Sequence, residues 1–224
     1  MDNLMLMFTD LNLRLKEDSG HLRDFTALDM RDLTGVDKYI DSEAEREIKS
    51  RLKGFGFRGI HLIDNGNYHY ATRFFLEKIP FDFDLLVFDN HSDDQAPAFE
   101  GMRSCGSWVL DTKTDLGERL KGLSIIQNQN HTKNEAGSSR PIYLSIDLDI
   151  LSKDEIDTNW DQGDWTLENL LERISLETTG REVLGIDVCG GPLIKPMTPI
   201  SGTWNQAVNV YSRLIAWIQA GGIL

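Results

Sequence analysis

Ile142-Tyr143-Leu144-Ser145-Ile146-Asp147-Leu148-Asp149-Ile150 is the stretch that decides how this chain is organised. Its first half is nearly continuous in apolar character, the pattern of a short strand buried on both faces of a parallel sheet. It then breaks into two aspartates, and in open α/β sheets polar, ligand-facing groups gather outside the carboxyl ends of the strands. Three more runs share this form and end in a polar or glycine-containing turn: Ile60 to Ile63, Leu85 to Phe88 and Val183 to Ile186. Leu4 to Phe8, Trp108 to Leu110 and Leu123 to Ile126 are weaker strand candidates.

Helical patterns lie between the runs. Ser42-Glu43-Ala44-Glu45 matches a capping box, followed by Ile48 and Leu52 one helical turn apart and a stop at Gly54. Thr166 caps a pattern carrying Leu167, Leu170, Leu171 and Ile174, with Gly180 as its stop. Residues 204 to 219 present a broad apolar face suited to packing on a sheet. Thr112 to Arg140 is polar and reads as strand plus loop. Strand and helix alternate, which predicts a three-layer αβα domain with a mainly parallel sheet over residues 1–224.

Lys and Arg number 23 against 36 Asp and Glu, a net charge of −13, and no basic cluster marks a phosphate-binding face. Nucleic acid is therefore not an expected partner. The apolar stretch at Leu4 to Phe8 is too short to span a bilayer and lacks the basic lead of a signal peptide, so no membrane role and a cytoplasmic address are expected. Cys105 and Cys189 form no metal-type spacing and read as thiols.

Chemistry concentrates in three clusters: Gly66-Asn67-Tyr68-His69-Tyr70, Phe88-Asp89-Asn90-His91-Ser92-Asp93, and the stretch ending in Asp147 and Asp149. Residues two apart in extended backbone share a side, so Asp89, His91 and Asp93 can face one point, as can Asp147 and Asp149. Asp187, after Ile186, ends a fourth strand. Carboxylate oxygen mixed with imidazole nitrogen favours Mn²⁺, with Zn²⁺, Fe²⁺ or Co²⁺ also compatible. Two carboxylates about 4 Å apart repel by roughly 4 kcal/mol at an effective dielectric near 20. Five of them, Asp187 counted, call for two divalent ions rather than one.

In these motifs the chain resembles the ureohydrolase superfamily of arginases, agmatinases and formimidoylglutamases. Gly66-x-x-His69, Asp89-x-His91-x-Asp93 and Ser145-x-Asp147-x-Asp149 stand in family order, and the resemblance runs from residue 66 to about 203. It implies the arginase and deacetylase type of αβα fold and a dinuclear manganese centre. One ion would take His69, Asp89, Asp93 and Asp147; the other would take Asp89, His91, Asp147 and Asp149. The implied reaction is hydrolysis of a C–N bond other than a peptide bond, in a guanidino, amidino or formimino compound, by metal-activated water. His91 and Asp149 are the expected catalytic residues, with Asp149 accepting the water's proton.

The chain also departs from the family. Where arginases and agmatinases place a glutamate that grips the substrate's guanidinium, Gly190 stands in Asp187-Val188-Cys189-Gly190. Cys105 falls near the position of the arginase proton-shuttling histidine. Gln95, Asp187 and Trp160 are the substrate-facing candidates for a small polar molecule, Asp187 alternatively as an acceptor behind the ligands. A deacetylase-type enzyme with one Zn²⁺ is an alternative, although no His-His pair occurs, and a metal-binding relative without catalysis is another. Homo-oligomers are common in the resembled family, so self-association is an expectation by analogy. His21, His61 and His131 read as structural or solvated, Trp204 and Trp217 as core, Lys195 as solvated. Asp82, Asp84, Asp111 and Asp115 read as solvated loop charges.

Overall fold

The computed structural model describes residues 2–97, 102–127, 139–194, 202–221 and 223. In chain order the strands are β1 (Leu4–Met7), β2 (Thr26–Asp29), β3 (Tyr39–Ile40), β4 (Ile60–Ile63), β5 (Phe83–Phe88), β6 (Arg103–Ser104), β7 (Leu120–Ile126), β8 (Ile142–Asp147) and β9 (Val183–Cys189). The helices are α1 (Leu11–Asp18), α2 (Ser42–Arg51), α3 (Thr72–Leu76), α4 (Trp108–Leu116), α5 (Leu167–Thr178) and α6 (Gly202–Gly221). Seven strands form one sheet in the order β2-β1-β4-β9-β8-β5-β7, all neighbours parallel. The short strands β3 and β6 pair antiparallel beside it.

Helices cover both faces, as the alternating pattern predicts. One apolar cluster joins α1, α5 and α6 to Leu62, Leu86, Phe88, Leu144, Ile146, Ile186 and Val188. The other joins α2, α3 and α4 to Ile63, Leu85, Val87, Tyr143, Leu184 and Cys189. The strand period of two then assigns the polar residues. Ser145 and Asp147 alternate with Leu144 and Ile146, so they share the face of Tyr143. Asp89 follows Val87 at the same interval, and His61 precedes Ile63. Ser145, Asp147, Asp89 and His61 thus lie on the α2–α4 side, and Asp147 and Asp89 reach the carboxyl rim.

Three local expectations change. Trp108 to Leu110 opens α4 rather than forming a strand, and β7 begins only at Leu120, so the polar segment after Thr112 starts as helix. Ser42 is the first helical residue and not the cap; Asp41 caps α2, its carboxylate accepting from the N–H groups of Glu43 and Ala44. Asp84 is no loop charge: it sits buried in β5 and accepts from Arg140 Nε at 2.8 Å and an Arg181 guanidinium nitrogen at 2.6 Å. A β strand entering a buried sheet leaves no solvent for that carboxylate, so the two arginines supply the partners. Asp115 likewise accepts from Arg73 and Arg103. Thr166 caps α5 through Asn169 N–H, and Gly180 follows the helix at φ 74°. Trp204 is buried, with its indole N–H on Asp18. His131 and Lys195 lie outside the described residues. No helix among the described residues is long and apolar enough to cross a membrane.

Candidate metal centre

The carboxyl rim of β4, β5 and β8 brings the three clusters together. His69 comes from a 3-10 turn, Gly66–Ala71, which leaves β4 and is capped by the Asn65 side chain accepting from Asn67 N–H. Its Nδ1 faces three carboxylate oxygens: Asp93 Oδ2 at 3.2 Å, Asp147 Oδ2 at 3.2 Å and Asp89 Oδ2 at 3.3 Å. His91 Nδ1 lies 2.9 Å from Asp149 Oδ2 and 3.6 Å from Asp89 Oδ1. Asp89 therefore stands between two donor groups, one around His69 and one around His91. All six side chains proposed from the sequence fall within these two groups.

The first group has the character of a cation site. Neither His69 Nδ1 nor Asp89 Oδ2 has a hydrogen-bond partner, although both are buried. Buried polar atoms are ordinarily satisfied, and donor atoms that converge on one point without a hydrogen bond between them suit a metal ion. The opposite nitrogen of His69, Nε2, lies 3.0 Å from Ser145 Oγ. With its N–H donated there, Nδ1 is left as the basic nitrogen. Trp108 adds a second support: its ring packs 4.7 Å from that of His69, and its N–H donates to Asp93 Oδ2 at 2.8 Å.

Asp147 Oδ1 accepts from Asp149 N–H at 3.0 Å, and Asp149 Oδ1 accepts from Asn90 N–H at 3.1 Å. These bonds turn the chain after β8 so that both aspartates face the rim. Without cations the site is crowded with acid. Burial, then the charge of Asp147, pushes the Asp149 carboxyl above the ordinary carboxylate range, and burial raises Asp93 to about 6. The hydrogen bond to Asp149, then that to Asp89, raises His91 to about 11.

Gly190 has a steric role. Its φ is 86°, and a Cβ there would stand 1.9 Å from Asp147 Oδ1 and 2.7 Å from Leu148 N. Any side chain at this position, glutamate included, would strike the carboxylate that closes β8. Gly66 is similar, since its Cβ would meet Trp160 Cδ1 at 2.6 Å.

The rim opens into a pocket lined by the floor residues Asp89, His91, Asp93, Asp147 and Asp149, with Gln95, Cys105 and Trp160 on its walls. Two of the three substrate-facing candidates are there. Asp187 is not: it is fully buried, where Tyr143 O–H donates to its Oδ1 at 2.6 Å and His61 Nδ1 lies 2.8 Å away. Strand register sets this position, because Asp187 pairs with Ser145 and so lies one step below the level of Asp147. Four carboxylates rather than five then crowd the site, and two divalent ions would bring it closer to neutral. His61 stacks on Phe75 at 3.7 Å and belongs to the same buried cluster. Burial, then Asp93, pushes the Cys105 thiol up to about 12, so it stays protonated and unsuited to nucleophilic work. Cys189 is fully buried, beside the ligand atoms of His69 and Asp147.

Trp108 and the rim residues Lys38 and Tyr39 were not singled out by sequence. Trp108 has no local signal, and Lys38 and Tyr39 arrive from a distant segment through the β3–β6 pairing.

No family model matches the sequence. An uncharacterised protein of Thermotoga maritima is 32% identical over 146 residues, 60% of this chain and 58% of that protein. Among solved structures, a proclavaminate amidino hydrolase from Streptomyces clavuligerus superposes with a TM-score of 0.60 at 14% identity, covering 96% of this chain and 90% of that one. A triple mutant of a T. brucei arginase-like protein, bound with Mn²⁺, gives 0.56 at 14% identity over 96% and 90%. With its parallel seven-stranded sheet between two helical layers, this chain has the arginase-like αβα fold of these structures.

Proposed function

We propose that the chain is a metal-dependent hydrolase of C–N bonds in amidine-type groups, working with two divalent ions, Mn²⁺ foremost. The observation that carries this is the pair of donor groups sharing Asp89, with the buried Nδ1 of His69 and Oδ2 of Asp89 lacking any hydrogen-bond partner. One ion would be held by His69, Asp89, Asp93 and Asp147, the other by Asp89, His91, Asp147 and Asp149. A one-ion, deacetylase-type site would leave His69, Asp93 and Asp149 surplus. The fold shared with an amidino hydrolase and with a Mn²⁺-bound arginase-like protein supports the reading.

When bound, the ions would supply Lewis acidity, making water a nucleophile at neutral pH. The residues do the rest. Asp149 accepts the attacking water's proton, held in place by Asn90 N–H and by His91 at 2.9 Å. His91 is about one-third exposed, the most open of the metal-facing histidines, and it borders the pocket where the planar amidine carbon would approach. Trp160 and Gln95 line the walls against which a small polar substrate would rest. The released amine leaves after taking up the proton that Asp149 holds.

The experiment is to supply Mn²⁺-loaded protein with guanidino, amidino and formimino compounds and to measure urea or ammonia. Turnover of at least one compound is expected, abolished by Asp149→Asn. A loaded protein inert to the whole set would overturn the assignment.

A further inference from the structure

Among the described residues, two that are not glycine hold a positive φ: Asp93 at 47° and Lys38 at 63°. Both line the same pocket. A side chain makes left-handed backbone costly, and such residues persist where their surroundings impose the conformation, commonly at sites. For Asp93 the return is a carboxylate beside His69. Lys38 requires its own explanation, because glycine or asparagine would fill that conformation with less strain.

The segment around Lys38 is fastened at three successive residues to the site. Val36 O accepts from Tyr70 O–H at 2.6 Å, Asp37 Oδ1 accepts from Asn67 Nδ2 at 2.7 Å, and Lys38 O accepts from Cys105 N–H at 2.9 Å. Tyr70 and Asn67 flank His69 in the same turn. The position of Lys38 is thus set by the backbone that sets His69. Its ammonium lies over the Trp160 ring, 5.0 Å from the centroid, and it has no ion pair among the described residues. Lys38 is also the one lysine or arginine among the described residues lining the pocket.

Trp160 connects this cation to the floor. The same indole meets bare Gly66, close beside Asp147, and carries Lys38 on its face. We propose that Lys38 and Trp160 form a subsite for an anionic oxygen group at the non-reacting end of the substrate, the intervening chain lying along the indole. This rests on the amidine-hydrolase reading of the floor. It also accounts for selectivity without a carboxylate at Gly190: recognition moves from the reacting cation to an anion at the far end. A substrate with a cationic far end would be repelled by the same ammonium.

Calorimetry on the Mn²⁺-loaded full chain tests this with three probes of equal length, 4-guanidinobutanoate, its primary amide and 4-guanidinobutylamine. The carboxylate is expected to bind at least tenfold tighter than the amide, with the amine weakest. Lys38→Gln should bring the carboxylate down to the affinity of the amide, and Lys38→Arg should keep the preference. Equal binding of the three probes, no binding of the carboxylate, or a preference untouched by Lys38→Gln would each overturn the proposal. Because binding is read without turnover, Lys38-dependent capture of the carboxylate with no hydrolysis would sink the enzymatic reading and leave this subsite standing.

Discussion

A Cβ on Gly190 would lie 1.9 Å from Oδ1 of Asp147, so the residue that closes β8 occupies the space any side chain at 190 would need. Asp147 is, with Asp89, one of the two carboxylates shared by both proposed ion sites. In the proposed centre Gly190 is therefore tied to the placing of Asp147, and a glutamate at that position is not expected to supply a guanidinium grip. Gly190→Ala adds left-handed strain to the clash, and a loss of roughly 2 kcal/mol or more is expected by chemical denaturation. Gly190→Glu is expected to lose Mn²⁺ as well. A folded, metal-replete Gly190→Glu protein that gains activity on arginine-type compounds would contradict this.

Trp108 reaches Asp93 through one N–H while its ring covers His69. Trp108→Phe keeps the aromatic packing and removes the hydrogen bond. Groups that orient a metal ligand typically contribute about 10- to 100-fold in affinity. The variant should remain folded and bind one of its two Mn²⁺ ions about tenfold or more weakly in a titration; unchanged affinity for both ions would remove Trp108 from the centre's support.

Loading should depend on pH in a definite direction. His91 is raised to about 11, Asp93 to about 6, and Asp149 is also raised, so the metal-free centre carries protons at neutral pH. Each ligand must give up its proton to bind. Apparent Mn²⁺ affinity should then rise as pH increases from about 6 to 8, with release of at least one proton per chain. Calorimetry in buffers of different ionisation enthalpy measures that release; proton uptake, or none, would be the contrary result.

Asp187 holds the buried Tyr143 and His61, away from the pocket. Leaving buried hydrogen-bonding groups without their partner typically costs about 1 to 3 kcal/mol, more for a charged group. Asp187→Ala should lose stability on that scale yet retain two Mn²⁺ per chain and an unaltered KM. A raised KM with stability intact would return Asp187 to the substrate.

The apolar runs at 60–63, 85–88, 142–146 and 183–186 were legible because central parallel strands are buried on both faces and tolerate little else. The convergence of the six residues of the candidate centre was legible because they end or closely follow those strands. Asp187 was misplaced because it too follows an apolar residue near a strand end. Only the register of β9 against β8 shows that it pairs with Ser145, below the rim, rather than reaching the level of Asp147. Trp108 read as part of a strand because a three-residue apolar run carries no period. Lys38 gave no signal, since its importance comes from contacts with Cys105, Asn67 and Tyr70, none local in sequence.

A two-ion centre is read straight from metal content. Protein equilibrated with Mn²⁺ and freed of unbound ion should retain two Mn²⁺ per chain by elemental analysis, falling to one or fewer in Asp89→Asn. A wild-type value of one or zero would rule out a two-ion centre.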